Sequence, residues 1–399
     1  MSNILSITGT HADNTLVQLA DVATRAKYAA LMADGHLGYI MPVGGVAAYD
    51  NQISVAGVGF DIACGNAAIR TNLRMSDLDG RISDIADTIQ ADISFGIGRS
   101  NNSKDAPTDH PLFESDAWNA IPSRFRDALR AKARDQLGTI GSGNHYIDVF
   151  VDENGFVWVG VHFGSRGLGH TIATGVMALA DGREWNDKKP ETETLLSLDS
   201  PLGDAYWTLM NLAGEYAYAG REWAARKVVK MLGGTELELV HNHHNFAWKE
   251  THFDQDLIVV RKGATPAFPG QRGFVGGSMG DNAVILQGTS VPVDTAPLTL
   301  YSTVHGAGRV MSRTEAAGKI HRKTGRVIKE GKVSPLEMSE WLDRKGVTLR
   351  GGGLDESPHA YRRLPDVLSD QGDTIEILHT LEPIIVVMAG SDTYDPYKD

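Results

Sequence analysis

A carboxylate and a thiol lie three residues apart in a glycine-rich segment that follows a predicted strand. The segment covers residues 57–65, and the two side chains are Asp61 and Cys64. A carboxylate oxygen and a thiolate sulfur at this spacing can bind one metal ion, and a sulfur can be shared between two ions. The alternative is a turn aspartate beside a cysteine that packs as a small apolar residue. The pair therefore indicates a candidate metal site and leaves both interpretations open.

Two histidines lie where a predicted hairpin would bring them together. His145 precedes a strand at 147–151, His162 ends a strand at 156–162, and residues 152–155 read Asp-Glu-Asn-Gly. An Asn-Gly pair between two such strands is a hairpin signal. Both imidazoles can then face one site, although each histidine alone is as readily a hydrogen-bonded structural residue.

A third histidine-rich segment, residues 241–245, reads His-Asn-His-His-Asn after a strand-like apolar run. Side chains alternate along a strand, so His241 and His243 share one face while Asn242 and His244 share the other. A surface histidine cluster without a role is the alternative. Three histidines among four residues favour at least one metal ligand here.

Cationic side chains accompany these segments in other glycine-rich loops. Arg166 lies in Gly-Ser-Arg-Gly, and the planar fork of arginine suits phosphate oxygens. His305 enters a Gly-Ala-Gly turn, a setting that suits a nucleophile or a phosphate contact. Arg309 and Arg313 are expected on the helix that follows, where backbone N–H groups can bind an anion. An ordinary turn with surface arginines is the alternative.

Together these residues predict metal-dependent phosphoryl or nucleotidyl chemistry. Lys262, in Arg-Lys-Gly-Ala, adds another candidate phosphate contact. A mixed set of sulfur, imidazole and carboxylate donors accepts Zn²⁺, Mn²⁺, Co²⁺ or Fe²⁺, so the donor types alone do not select the metal.

The elements that must position these loops form a mixed pattern. Helical periodicity predicts helices over 16–32, 74–92, 122–136 and 204–232. Runs rich in Val, Ile and Phe predict strands at 53–58, 147–151, 156–162, 257–261, 283–287, 376–381 and 384–388. We predict one α+β domain over 1–399, with 312–350 as a possible helical lobe and a site built from loops between strands.

Composition excludes several other classes. A single cysteine cannot form an internal disulfide or hold an iron–sulfur cluster alone. An apolar content of 42% with 22% charged residues is that of a globular protein rather than a disordered one. The net charge of −12 argues against a simple DNA-coating protein, but not against a local basic groove. No targeting or membrane segment is recognised, so we expect a cytoplasmic, soluble protein without a membrane partner.

Taken in order, the motifs resemble the RtcB family of RNA ligases. They lie at 34–38, 57–65, 141–145, 162–167, 243–245, 261–264, 277–280 and 305–313. The resemblance implies a single mixed α/β domain with a two-metal centre that uses GTP and two Mn²⁺ ions. It also implies joining of an RNA 2′,3′-cyclic phosphate or 3′-phosphate end to a 5′-hydroxyl end, through a covalent histidine–GMP, in RNA repair or processing.

The resemblance assigns roles residue by residue. It makes His305 the guanylylated nucleophile and places Asp34 near the 5′-hydroxyl end. The implied metal ligands are Asp61, Cys64, His145, His162 and His244, with Cys64 shared by two ions. The implied nucleotide contacts are Asn144, Asp148, Asn245, Ser278, His305, Gly306, Ala307 and Gly308. The implied RNA phosphate contacts are Arg166 and Arg309.

Two positions depart from the family pattern at the guanine base. The family has a lysine where this chain has Ala389, and a glutamate where it has Asp148. Nucleotide preference therefore stays open, as does DNA in place of RNA, and we expect a monomer. Two other functions stay open as well: a metal-dependent phosphohydrolase, and a non-ligating nucleic-acid-binding relative.

Overall fold

The chain folds into a mixture of helices and strands. The structure is a computed structural model, and it describes residues 3–188, 191–320, 324 and 326–390. The helices within these ranges are α1 (Asp13–Ala23), α2 (Val55–Val58), α3 (Ile82–Asp92), α4 (Ser123–Gln136), α5 (Arg166–Ala180), α6 (Pro201–Leu232), α7 (Arg313–Ala317), α8 (Pro335–Lys345) and α9 (Leu364–Gln371). The strands are β1 (Ile4–Ile7), β2 (Tyr28–His36), β3 (Val43–Tyr49), β4 (Gln52–Ser54), β5 (Gly65–Arg74), β6 (Tyr146–Asp152), β7 (Phe156–Phe163), β8 (Leu195–Ser197), β9 (Glu236–His243), β10 (Asn245–His252), β11 (Gln255–Lys262), β12 (Ala264–Pro266), β13 (Arg272–Val275), β14 (Ala283–Gly288), β15 (Ser302–Val304), β16 (Lys319–Ile320), β17 (Val327–Lys329), β18 (Thr348–Gly352) and β19 (Ile375–Gly390). The predicted α+β class, a mixture of helices and strands, is confirmed.

The larger sheet brings together three segments that carry candidate site residues, at one end of adjacent strands. Its strand order is β13-β14-β19-β6-β7-β5-β9, with β18 paired to β19. The first residue of β5, Gly65, lies opposite both Phe163 at the end of β7 and His243 at the end of β9. A side chain at Gly65 would meet the Asn242 carbonyl oxygen at 2.1 Å, so only glycine permits this approach. The residues flanking these strand ends therefore converge.

The predicted hairpin and the long helix are both confirmed. β6 and β7 pair antiparallel with Tyr146 opposite His162, which places His145 beside the end of β7. Helix α6 begins after Ser200, whose hydroxyl accepts a hydrogen bond from the Gly203 N–H. Its buried face packs against β5 and β7, behind the edge where the segments converge.

A five-stranded sheet of order β1-β2-β3-β11-β10 supplies the opposing wall. It carries Asp34 in β2, Asn245 in β10 and Lys262 in β11, while His305 directly follows the short strand β15. The larger sheet therefore carries mainly candidate metal ligands, the five-stranded sheet carries Asp34, and the separate β12–β15 pair leads into the candidate nucleophile, His305.

Two predicted elements are wrong because long-range contacts override the local pattern. The predicted helix 16–32 ends at Ala23, and residues from Tyr28 form β2, which pairs with both β1 and β3. The predicted strand 53–58 ends at Ser54, whose hydroxyl accepts from Gly57 N–H and begins a one-turn helix.

The segment 312–350 is mixed rather than helical, because β16 to β18 accompany its two helices. Its last strand, β18, pairs with β19 in the larger sheet. Arg309 is not on a helix as predicted: it forms an isolated bridge to Tyr361, and α7 begins only at Arg313. The single-domain boundaries of 1–399 stay a prediction.

Two further boundaries differ from the sequence pattern. The predicted strands 376–381 and 384–388 are one strand, β19, with a register irregularity after Pro383. The predicted helix 74–92 starts as a separate 3₁₀ turn, and α3 itself begins at Ile82. In the ranges given above, no helix combines the length and apolar character that crossing a bilayer requires.

Candidate active site

Two clusters of potential metal ligands share one sulfur. Cys64, His162 and His244 form the first, and Asp61, Cys64 and His145 form the second, with ligand atoms in each cluster within 4.8 Å of one another. Cys64 Sγ lies 3.2 Å from His162 Nε2 and 3.7 Å from His145 Nε2. The structure thus brings together all five residues that the resemblance implied as metal ligands, and their binding of a metal stays a prediction.

The chain around Cys64 is held in an uncommon conformation. Ala63 has a positive φ of 59°. This conformation is unfavourable for an L-residue and persists only where the surrounding structure compensates for it. The Cys64 N–H donates to the Asp61 carbonyl at 3.0 Å, and the Cys64 carbonyl accepts from His244 N–H at 2.8 Å. A side chain at Gly164 would meet the Asp61 carboxylate at 2.2 Å, so glycine lets this carboxylate approach. The local backbone therefore aims both Asp61 and Cys64 at the same place.

The donor chemistry fits a divalent cation. Burial, followed by the neighbouring Asp61 charge, raises the pKa of the Cys64 thiol, and burial lowers the pKa values of His162 and His244. His145 Nδ1 lies 3.0 Å from the Ile140 carbonyl oxygen, while Nε2 faces Asp61 and Cys64 and is the atom placed to bind a metal. His244 Nδ1 is buried and has no hydrogen-bond partner within the described part of the chain. A cation would compensate these buried donors, because sulfur, imidazole and carboxylate bind the same class of metals.

Asp61 stays anionic more readily than its burial alone allows. Burial acts to raise its pKa, but the hydrogen bond to His145 and the charge of Arg166 outweigh that effect and lower it. The His145 Nε2 and Asp61 Oδ2 atoms are 3.0 Å apart. One fixed negative charge is therefore available to the second cluster.

His305 is held by a buried carboxylate. Asp34 Oδ2 accepts from the His305 backbone N–H at 3.0 Å, from His305 Nδ1–H at 2.6 Å and from Gly306 N–H at 3.2 Å. This contact places the proton on Nδ1 and leaves the lone pair on Nε2. The His305 and His244 rings are 4.9 Å apart, so the candidate nucleophile lies beside the first metal cluster.

Asp34 is buried against the segment that carries His305. The resemblance places it near an RNA 5′-hydroxyl, yet its exposure is 0% and its described bonds go to the His305 segment. Gly308 fits tightly against this strand, since an added side chain would meet the Asp34 carbonyl oxygen at 2.5 Å. Asp34 is therefore placed to orient His305, and its role near an RNA 5′-hydroxyl end stays a prediction.

A cavity of about 320 Å³ joins the metal clusters to His305. The sequence-predicted nucleotide contacts that line it are Asn144, Asp148, Asn245, Ser278, Gly306, Ala307 and Gly308. Asn245 Oδ1 accepts from Gly263 N–H at 2.7 Å, and Ser278 donates to Asp281. The predicted residues are thus in one place, while their contacts with a nucleotide stay predictions.

One end of the cavity is apolar except for two buried polar groups. Val386 and Met388 line it beside Tyr146 and Asp148. Burial raises the pKa of the Asp148 carboxyl well above its usual range, and among the described residues neither its Oδ1 atom nor the Tyr146 hydroxyl has a hydrogen-bond partner. Ala389, where the family has lysine, follows Met388 on β19. This end of the cavity therefore combines apolar walls with two polar atoms that a planar ligand could contact.

Cations line the other side of the cavity. Arg309 and Arg313 both pair with Glu356, at 3.2 and 3.3 Å, and the Tyr361 hydroxyl hydrogen-bonds to both Arg309 and Glu356. Burial lowers the pKa of Lys262 to about 8. Sequence reasoning missed Glu356 and Tyr361, because no motif joins them to the arginines some fifty residues earlier.

A second cavity, of about 570 Å³, meets the first at the metal ligands. Both cavities are lined by Asp61, Asn144, His145 and Arg313. The second one is also lined by Arg166 and Lys132, and by Phe60 and His170, whose rings are 5.7 Å apart. The clusters therefore face two spaces, one beside His305 and one beside Arg166.

Buried neutral histidines predict a loss of stability in mild acid. Burial, together with the Arg221 charge, lowers the pKa of His241 from 6.5 to about 3. Its contribution to stability is therefore complete above pH 6.5 and decreases as pH falls toward 3, by about 1.4 kcal/mol per pH unit. Between pH 7.5 and 5, we expect the urea unfolding free energy to decrease by about 2 kcal/mol less in His241→Gln than in the unmodified chain. Equal decreases would refute this assignment.

Paired clusters of potential metal ligands beside a carboxylate-held histidine are the arrangement expected of an enzyme of phosphoryl or nucleotidyl transfer. A model of the RtcB family, described as tRNA-splicing ligase RtcB, matches residues 15–389. The RNA-splicing ligase RtcB of Escherichia coli (strain K12) is 30% identical over 403 residues, 94% of this chain and 93% of that protein. The tRNA-splicing ligase RtcB of Archaeoglobus fulgidus is 32% identical over 439 residues, 91% of this chain and 86% of that protein. The chain therefore belongs to the RtcB family of tRNA-splicing ligases.

Proposed function

We propose that this protein joins an RNA 2′,3′-cyclic phosphate or 3′-phosphate end to a 5′-hydroxyl end, using GTP and Mn²⁺. The observation that carries the proposal is His305, held by Asp34 through Nδ1, in a cavity that also contains both metal clusters. Family membership supports the ligase reaction, and the donor set is compatible with Mn²⁺. We expect the reaction to take place in the cytoplasm.

The first step is nucleotide transfer to His305. The Nε2 lone pair attacks the α-phosphorus of GTP, a P–N bond forms, the bond to the bridging oxygen of the β-phosphate breaks, and pyrophosphate leaves. Asp34 keeps its hydrogen bond to Nδ1–H throughout and stabilises the positive charge that develops on the ring. Divalent cations at the Cys64 clusters would screen the triphosphate charge and act as Lewis acids.

The next steps return the histidine and join the strands. A 3′-phosphate oxygen of RNA attacks the phosphorus of histidine–GMP, and the P–N bond breaks to give back the imidazole. The 5′-hydroxyl then attacks the activated 3′-phosphate, loses its proton, and displaces GMP. A cyclic phosphate must first be opened by water to a 3′-phosphate. Arg309 and Arg313, fixed by Glu356, are near enough to bind phosphate oxygens in this cavity.

The apolar end of the cavity, beside Tyr146 and Asp148, is where we place the purine base of the nucleotide. The identity of that nucleotide can be tested. Asp148 Oδ1 lacks a partner, and its raised pKa favours a carboxyl that can donate as well as accept a hydrogen bond. Incubation with Mn²⁺ and each nucleoside triphosphate in turn, followed by intact mass and peptide mapping, tests the proposal. We expect a GMP-sized mass shift on His305 with GTP. A larger yield with another nucleotide would change the cofactor, and no adduct with any nucleotide would refute the mechanism.

The second cavity supports an RNA strand that approaches from the side opposite His305. It meets the first cavity at Asp61 and His145, next to Arg166. A guanidinium binds phosphate oxygens in pairs, and unpaired bases stack on rings such as Phe60 and His170. A terminal RNA phosphate beside Arg166 would then face the metal clusters. This assignment extends the predicted phosphate role of Arg166.

Arg166→Ala is expected to weaken binding of RNA that ends in a 3′-phosphate by about tenfold or more, because a charge-assisted contact is lost. The slope of log K against log salt should fall by about one. Fluorescence anisotropy with 3′-phosphate and 3′-hydroxyl versions of one oligonucleotide measures both effects. Arg183→Ala, an exposed arginine paired with Asp181, is the control and should keep the preference for the phosphate end. Equal preference in Arg166→Ala and the unmodified chain would contradict the assignment.

A further inference from the structure

A fully buried arginine lies behind the metal clusters. Arg221, on helix α6, has 0% exposure. Its guanidinium donates to the Ala63 carbonyl at 2.8 Å, the Phe163 carbonyl at 2.6 Å, His241 Nε2 at 2.9 Å and His243 Nδ1 at 2.9 Å. Four of its five N–H groups are therefore used inside the protein.

Three of these acceptors are direct chain neighbours of metal ligands. Ala63 precedes Cys64, Phe163 follows His162, and His243 precedes His244. All three ligands belong to the first metal cluster, and each comes from a different segment. One rigid group thus connects the backbone or side chain next to every ligand of that cluster.

The hydrogen bond from Arg221 to Ala63 matters most, because Ala63 has an unfavourable backbone conformation. Ala63 holds a positive φ of 59°, and its carbonyl points to Arg221. Its N–H donates to the Asn245 carbonyl at 2.7 Å, so both polar groups of this residue are fixed by distant parts of the chain. Without the guanidinium, the Ala63 carbonyl would lose a charge-assisted hydrogen bond, and the turn that aims Cys64 would be held less firmly.

We propose that Arg221 is a positioning residue for the metal centre, which sets the spacing of Cys64, His162 and His244 from behind. The proposal rests on the proposed function in one respect, namely that these three side chains bind a metal. The planar fork of arginine is required, because a lysine ammonium is a single point and cannot reach acceptors on three segments at once.

Metal binding by the whole chain tests this proposal directly. In Arg221→Lys, we expect the Mn²⁺ dissociation constant, measured from the electron paramagnetic resonance signal of free Mn²⁺, to rise by about 10- to 100-fold. With Co²⁺ as the probe, the thiolate-to-metal absorption band should be weaker or shifted even at saturation, because the sulfur is no longer held at the same distance. A purely structural role would not change this band in a folded variant.

Arg261→Lys provides the matched control. Arg261 is also fully buried, but it bonds to Glu250, Ser302 and the Leu300 carbonyl, away from the clusters. We expect this variant to lose thermal stability while it keeps the affinity for Mn²⁺ and the Co²⁺ band. If Arg221→Lys has unchanged metal affinity and an unchanged band, the proposal is overturned even if its melting temperature falls.

A second pair of variants keeps the test valid if Arg221→Lys does not fold. His243→Asn retains an acceptor near the Nδ1 position, whereas His243→Leu removes it. We expect Mn²⁺ affinity to be lower in the leucine variant than in the asparagine variant, and equal affinities would count against the proposal. If the unmodified chain binds neither Mn²⁺ nor Co²⁺, the metal centre of the proposed function fails, and the role of Arg221 falls with it.

Discussion

Replacing His305 by alanine is expected to abolish both the nucleotide adduct and RNA joining, with a loss on the order of 10⁴-fold or more. In the proposed mechanism the imidazole supplies the attacking nitrogen and later the leaving group, so no neighbouring side chain can replace it. The measurements are the mass shift after incubation with GTP and Mn²⁺, and gel analysis of joined RNA ends. Asp34→Asn keeps the shape of the carboxylate but weakens its hold on Nδ1–H, and we expect it to slow adduct formation by about 10²- to 10⁴-fold.

A surface histidine serves as the control for this substitution. His379 on β19 pairs with Glu153 outside both cavities, and His379→Ala should form the adduct and ligate at the normal rate. An adduct in His305→Ala would place the nucleophile elsewhere. Phosphate release from RNA ends that His305→Ala leaves unchanged would favour a phosphohydrolase. Binding of RNA ends that depends neither on metal nor on His305 would favour a non-catalytic relative.

Local sequence patterns predicted those elements whose signals lie within the element. Helix α6 follows its apolar period from a proline start to Gly233, and the β6–β7 hairpin follows from its turn residues. The pattern failed at Tyr28–His36, where small apolar residues fit both a helix and a strand. Pairing with β1 and β3 decides that region, and those partners are not encoded in the window itself.

The same distinction applies to the site. The glycine-rich segments revealed Asp61, Cys64 and His305 because the unusual residue and its turn are adjacent in sequence. Glu356 and Arg221 gave no such signal: their partners lie elsewhere in the chain, with Arg221 and the Ala63 carbonyl 158 residues apart. A buried arginine on an amphipathic helix cannot be told from a surface one until the packing is known.

Replacing Cys64 by serine is expected to remove high-affinity metal binding at both clusters and to reduce adduct formation on the order of 10³-fold or more. The sulfur belongs to both sets of ligands, and a serine hydroxyl stays protonated and binds such metals poorly. Equilibrium dialysis against Mn²⁺ with elemental analysis gives the number of ions per chain. Since Cys64 is the only cysteine, its alkylation rate with and without Mn²⁺ reports independently on whether the thiol is a ligand.

The single-cluster variants separate a shared sulfur from a sulfur that serves one ion. Cys64 lies in both clusters, while His145 belongs to one and His244 to the other. We expect two Mn²⁺ ions in the unmodified chain, one in His145→Ala, one in His244→Ala, and neither held tightly in Cys64→Ser. If Cys64→Ser instead retains one tightly bound ion, the thiol binds a single metal. If it retains two with unchanged affinity, the thiol is not a ligand, and the raised pKa of Cys64 reflects only its burial and its proximity to Asp61.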